Sequence, residues 1–408
     1  MMDRFALMFA MAWRNLWRNP RRTGLILIAV GVGAWSMLTF TAVLQAWSVS
    51  NLETTLRNLT GHGQIHARGY LDNPGVDHRL AAPTDALRNL LDGTEVAQWA
   101  PRVRVPASIQ SEYETWPVTL TGIDPARERG LSFIADAVHQ GDMLAGADAS
   151  GVLLGRKLAK RLHTDVGKRV VLMSQGANGD LVERGFRVTG LFSASPEVEE
   201  ANVFVSISAA QSILGMGSNI SEIAFDLHDL AVLPAFVARL QAAAPGDDVR
   251  SWQALQPMTY AINEMMNAFV QLWIGVMFIL MAFGIVNTLL MSLHERVREL
   301  ALLQALGLRP RLIFAQVTLE AVLVVALGVI AAMLGTAVTL LIFRNGVDLG
   351  FLARGAEWFG AARVLYLHIG AQQFADISLL VWVLGVLAGL VPTWRMIRRV
   401  PIDAINRG

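Results

Sequence analysis

Cysteine is absent from the 408 residues. That excludes a disulfide framework, a thiolate nucleophile and a cysteine-ligated metal. Charge is also scarce: 16% of residues are Asp, Glu, Lys or Arg, against about 25% in soluble domains. The usual catalytic signatures are missing as well. No GxxxxGK[ST] phosphate loop occurs, and the nearest approach, Gly146 to Lys157, has the wrong spacing and no Ser or Thr after the Lys. GxSxG, SxxK and HExxH are absent too. These absences argue against an enzyme and specifically against ATP hydrolysis by this chain. His62 and His66 stand four apart in a glycine-rich, alternating stretch that favours strand or loop, without a third ligand nearby, so no metal is expected there.

What is present is apolar sequence in blocks. A membrane-crossing helix needs roughly 20 apolar residues. Leu25 to Leu52, Met265 to Leu293 and Ile377 to Trp394 carry no charge, and Leu312 to Phe343 carries only Glu320. Arginines cluster before the first block (Arg4, Arg14, Arg18, Arg21, Arg22). They cluster again between the second and third (Arg296, Arg298, Arg309, Arg311) and after the fourth (Arg395, Arg398, Arg399, Arg407). Threading four spans in order puts all three clusters on one side, the cytoplasmic side by the positive-inside rule, together with both termini. Between Ser48 and Glu264 there are 18 Lys+Arg against 25 Asp+Glu, the balance of a mildly acidic external domain.

The segment before the first span places Phe5, Met8, Phe9, Ala12, Trp13, Leu16 and Trp17 at helical spacing, with Arg14, Asn15 and Arg18 between them. It reads as an interfacial helix with Trp13 and Trp17 at headgroup level, and Asn19-Pro20 breaks it from the span. Small residues four apart (Ala29 and Gly33, Gly328 and Ala332, Ala331 and Gly335, Gly385 and Gly389) allow close helix approach. Asn287 and Glu320, the intramembrane polar residues, should face protein, with Glu320 paired to an arginine such as Arg296 or Arg395.

The external block reads as mixed α and β. Lys168–Ser174 and Val182–Phe192 form a hairpin around Asn178-Gly179. Ala201–Ile207 is a strand, Ser208 caps a helix through Leu214, Glu222–Leu227 is a strand and about 231–243 a helix. Helix is expected to run from Trp252 past Pro257 into the second span. Glu197, Glu199 and Glu200 read as a solvated acidic loop.

The segments Ala12–Gly33 (AWRNLWRNPRRTGLILIAVGVG), Phe283–Leu308 (FGIVNTLLMSLHERVRELALLQALGL), Thr318–Gly335 and Pro392–Ile405, in that order, resemble the FtsX-like permeases, membrane subunits of mechanotransmitting ABC transporters. The resemblance covers nearly the whole chain and is greatest to the lipoprotein-releasing type, through Phe186–Leu214. It departs at Gln304, where the family often has a basic residue. It implies an α-helical membrane protein with four transmembrane helices plus a large mixed α/β periplasmic domain between helices one and two. The implied order is a cytoplasmic amphipathic helix (1–22), transmembrane helix one (23–48) and a periplasmic domain of two small subdomains (49–264). Transmembrane helix two (265–293), a cytoplasmic coupling helix (294–311) and transmembrane helix three (312–343) follow. A periplasmic loop (344–374), transmembrane helix four (375–395) and a cytoplasmic tail (396–408) complete the chain.

The resemblance further implies a bacterial inner-membrane location and a dimer of a separate ABC ATPase, which binds ATP and Mg, while this chain holds no cofactor. A second permease copy or a paralogue and a lipoprotein or lipidic cargo would complete the system, with no nucleic acid. Glu295, Arg296, Arg298, Glu299, Leu302, Leu303, Leu306 and Gly307 would seat on the ATPase. Macrolide-type tripartite efflux is the alternative, and a membrane sensor or scaffold without transport is a third reading.

Overall fold

A computed structural model describes residues 2–147, 149–295, 302, 308–348 and 364–397. In chain order, helices α1 (Met2–Arg18) and α2 (Pro20–Thr55) lead through a π-type turn (Leu56–Thr60) into strand β1 (Gly63–Ala67). Helix α3 (Asp85–Leu91), strands β2 (Val96–Gln110) and β3 (Thr115–Ile123), and helices α4 (Pro125–Glu128) and α5 (Ile134–Ala137) follow. Then come β4 (Val138–Gly141), β5 (Gly151–Gly155), α6 (Arg156–Arg161), β6 (Arg169–Gln175), β7 (Leu181–Phe192), α7 (Pro196–Ala201), β8 (Asn202–Ser206) and α8 (Ile207–Leu214). Strand β9 (Glu222–Leu227), α9 (Leu233–Ala243), β10 (Asp247–Ser251) and α10 (Trp252–Leu255) complete this stretch. Helices α11 (Pro257–Glu295), α12 (Pro310–Ile342) and α13 (Ala371–Ile397) close the chain, with a two-strand ladder, β11 (Val347–Asp348) with β12 (Val364–Leu365), between the last two. The chain divides into two compact units, Leu52–Ala261 and the remainder.

In the helical unit, four helices among the described residues are long and apolar enough to cross a membrane: those over 23–60, 257–288, 311–342 and 371–390. Asn19 breaks α1 from α2. Pro20 occupies the first turn of α2, where its missing N–H costs nothing, and Thr23 donates its hydroxyl to the Leu16 carbonyl at 2.6 Å. Buried Val30, Ala34 and Met37 of α2 pack with Met281 and Ile285 of α11, Val325 and Val329 of α12, and Val381 of α13. The close approach of α2 and α12 depends on glycine: a Cβ at Gly328 would lie 2.6 Å from Val30 Cγ1. Gly385 packs in the same way against Val325. Small-residue faces replace hydrophobic driving force where lipid is as apolar as leucine. Trp35 Nε1 adds a hydrogen bond to Thr339 Oγ1 at 3.1 Å.

The other unit is a mixed sheet in the order β10-β1-β9-β2-β3-β8-β5-β7-β4, with β6 pairing both β2 and β7. The β6–β7 hairpin around Asn178-Gly179 and strands β8 and β9 lie where the sequence places them. The two expected subdomains share one 15-residue strand. The first part of β2 pairs with β9, and its second part pairs with β3 and β6. A large core holds Ile65, Val103, Phe225, Phe236 and Trp252. A smaller one stacks Phe192 edge-on to Phe204.

Three local expectations are corrected. Ser206, not Ser208, caps α8, accepting from the Ala209 N–H at 3.2 Å, while Ser208 donates to the Ala147 carbonyl. The helix after Trp252 breaks at Gln256 before α11 begins, because Pro257 disfavours helical backbone in the residue before it. The acidic cluster is helix α7, started by Pro196, and Glu199 is buried. Its carboxylate accepts from the Ser193 hydroxyl and from the Ala194 and Lys157 N–H groups, so it satisfies one of the orphan donors in the first turn of α6.

Candidate functional site

Alternation and register put a row of polar side chains on one face of three adjacent strands. His66 of β1 is opposite Glu222 of β9, and Glu222 is opposite Arg102 of β2. Gln64 and Arg104 lie two residues along on the same face, since side chains two apart point the same way. The opposite face carries Ile65, Ile223 and Val103 into the main core.

Arg102 is fully buried. Its Nε and Nη2 donate to the two Glu128 oxygens at 2.7 and 2.9 Å, a bidentate fork. Nη1 donates to Glu222 Oε1 at 3.3 Å and to the Leu59 carbonyl at 2.5 Å. Ser132 donates its hydroxyl to Glu128 Oε2. Burial opposes the guanidinium charge, but Glu128 and then Glu222 outweigh it and push its pKa up.

Leu59 belongs to the π-type turn at the end of α2. The turn is closed by the Gly61 N–H on the Leu56 carbonyl at 2.8 Å. Leu59 has φ +70°, a left-handed conformation that a leucine adopts at a cost of about 1–2 kcal/mol. The turn is held from two sides. Arg102 binds the Leu59 carbonyl, and Gln64 Nε2 donates to the Leu59 and Thr60 carbonyls at 2.8 and 3.0 Å. Beside it, the His62 Nδ1 accepts the Leu227 N–H, so that nitrogen carries no proton. Burial lowers the His62 pKa against the pull of Asp226, and burial raises that of Asp226 against the pull of His62. Their 3.9 Å approach is therefore a contact that burial drives towards neutrality. His62 and His66 hold no metal geometry: no group of three metal-ligating side chains occurs among the described residues.

Of the residues expected to seat on an ATPase, Glu295 ends α11 and Leu302 is helical and exposed. Arg296, Arg298, Glu299, Leu303, Leu306 and Gly307 lie outside the described residues. Trp13 and Trp17 are exposed and stack edge-on at 6.0 Å. Glu320 is buried and accepts from Asn15 Nδ2 at 2.7 Å; the amide comes from the entry helix. Asn287 is exposed in the isolated chain. It sits roughly 200° around α11 from buried Ile285, on the side opposite the packed face. Sequence reasoning missed Arg102, although an arginine inside an alternating strand, with acidic residues on its sheet neighbours, signals a buried pair.

Four membrane-length helices among the described residues, with a large mixed α/β domain, define a multi-span membrane protein with a sizeable extramembrane domain. Residues 23–243 match the MacB-like periplasmic core domain and 272–401 the FtsX-like permease C-terminal domain. The chain belongs to the FtsX-like ABC transporter permeases with a MacB-like periplasmic core. It is similar to the lipoprotein-releasing system transmembrane protein LolC of Xylella fastidiosa, 23% identical over 415 residues, covering 95% of this chain and 96% of that protein. LolC of Neisseria meningitidis serogroup B is 27% identical over 322 residues, covering 73% and 74%. The macrolide export ATP-binding/permease protein MacB of Nitrobacter winogradskyi is 24% identical over 414 residues, covering 96% of this chain and 58% of that protein.

Proposed function

We propose that this chain is the permease subunit of an inner-membrane ABC transporter that releases lipoproteins or other lipidic cargo, driven by a separate ATPase dimer. The match along almost the full length of both this chain and a lipoprotein-releasing membrane protein carries this reading. Cytoplasmic termini place the 294–311 segment beneath the membrane, where Arg296, Arg298, Glu299, Leu302, Leu303 and Leu306 meet the ATPase. ATP and Mg belong to that partner. Two permeases, identical or paralogous, complete the transporter. Nucleotide-driven motion of α2 and α11 reaches the periplasmic unit through the turn at Leu56–Thr60 and the Gln256 break.

The test is affinity purification from native membranes followed by reconstitution. Co-elution of an ATPase with lipoproteins, and ATP-dependent release of lipoprotein from liposomes, is the expected result. Co-elution of a periplasmic adaptor and an outer-membrane channel moves the assignment to tripartite efflux, the second reading that the MacB-like core favours. Absence of any ATPase supports a sensor.

A further inference from the structure

The polar face of β1, β9 and β2 opens into a cavity of about 290 Å³. Gln64, His66, Tyr70, Arg104 and Glu222 line it together with Leu71, Pro74, Val105 and Pro106. Two charged groups that line it, Glu222 and Arg104, keep hydrogen-bonding capacity that no protein contact among the described residues takes up. His66 is 1% exposed, and its Nε2 faces Gln64 Oε1 at 3.0 Å. That oxygen can only accept, so Nε2 carries the proton and Nδ1 is a bare acceptor. Nδ1 is occluded and has no partner. Glu222 accepts from Arg102 through Oε1 only, which leaves Oε2 unused. The Arg104 guanidinium takes part in no hydrogen bond or ion pair among the described residues; only its backbone is bonded, to Tyr70 and Ser221. An anionic acceptor and a free cationic donor therefore share a partly apolar cavity. A cavity that is mostly apolar with a few convergent charged groups is the usual form of a small-molecule site.

We propose that this cavity binds a small zwitterion, with its ammonium on Glu222, its acid group on Arg104, and a short apolar part against Leu71, Pro74 and Val105. A lone anion would meet Glu222, and a lone cation would meet Arg104. A molecule with both charges satisfies both. The volume is at the lower end of small-molecule sites, roughly 300–1,000 Å³. An apolar α-amino acid and the phosphoethanolamine head of a lipid share this chemistry. The site does not depend on the cargo assigned above. It does touch the α2 junction, because His66 bonds Gln64, and Gln64 bonds the Leu59 and Thr60 carbonyls.

The experiment is calorimetry and saturation-transfer NMR on the full chain in detergent micelles, with L-leucine and with O-phosphoethanolamine as probes. Leucinamide removes the acid, and 4-methyl-2-oxopentanoate removes the ammonium. A bond to a charged group contributes about 1.5–3 kcal/mol, so each deletion should weaken binding about tenfold or more. Arg104→Gln should weaken leucine similarly while leaving leucinamide no weaker, since it removes a charge that repels it. Leu71→Trp, at an exposed position where folding is spared, should block the cavity to every probe. Binding of O-phosphoethanolamine alone supports the site and names a lipid head as its source; binding of leucine alone names a free amino acid. The proposal is overturned if neither zwitterion binds at 10 mM, about the weakest affinity worth about −2.7 kcal/mol. It is equally overturned if binding ignores both Arg104→Gln and Leu71→Trp.

Discussion

The Arg102 guanidinium donates to the carbonyl of Leu59 at 2.5 Å, 43 residues away in sequence and wholly out of solvent. One buried side chain thus fixes the backbone where α2 ends and the sheet begins; the same Nη1 also reaches Glu222, and Nε and Nη2 hold Glu128.

Arg102→Met should be severely destabilising. It strands two buried carboxylates, and breaking such a pair costs about 3–5 kcal/mol. Differential scanning calorimetry of the purified chain should show the periplasmic transition falling by on the order of 10 °C. Arg102→Lys keeps the charge, loses the fork and should fall by less. A Tm unchanged in both variants contradicts the hub.

Glu199→Ala should cost about 1–3 kcal/mol, since it leaves the part-buried N–H groups of Ala194 and Lys157 without their acceptor. Glu197→Ala, in the same acidic run but on the exposed side of α7, should stay within about 0.5 kcal/mol of the parent. Equal losses in urea unfolding would return the run to a solvated loop.

Acid should weaken the periplasmic unit through its histidines. Burial lowers the pKa of His62 and of His66, and the unfolded chain therefore takes up protons first. Their contribution is complete above the unfolded value of about 6.5 and is lost as pH falls from there through the folded values. Asp226, with its pKa raised by burial, acts in the opposite sense at more acid pH. Tm measured from pH 8 to pH 5 should decline, and His62→Asn/His66→Gln should flatten the decline.

Gly328→Ile should separate α2 from α12. Its added atoms fall on Val30, and overpacking costs about 1–3 kcal/mol. Thermal unfolding in micelles should drop, whereas Gly275→Ile, at a glycine with open space around it, should not.

Leu302→Asp tests the coupling surface. Leu302 is exposed, so the substitution should leave Tm unchanged while abolishing ATPase association in a pull-down. Retained association overturns the docking site.

The membrane helices were legible because lipid imposes a crude rule: about 20 apolar residues and no unpaired backbone. The β6–β7 hairpin was legible because Asn178-Gly179 is a strong local turn. Glu199 was not, since its burial depends on where Ala194 and Lys157 arrive from elsewhere in the chain. The Asn15 contact of Glu320 was not legible for the same reason: Asn15 is 305 residues away. The row of Gln64, His66, Glu222, Arg102 and Arg104 needed the strand order β1-β9-β2, in which neighbours in space come from the two ends of the domain.

Strand β2 passes through both halves of the sheet without interruption between Arg102 and Gln110. Its odd and even positions are therefore counted once for the whole domain. A single inserted residue near Val103 would leave Trp99 in the core yet turn Ile109 outward, since a one-residue slip exchanges the faces of a strand. Length changes in this strand should be tolerated only in pairs, and drift in the sequence of one half is tied by parity to the other.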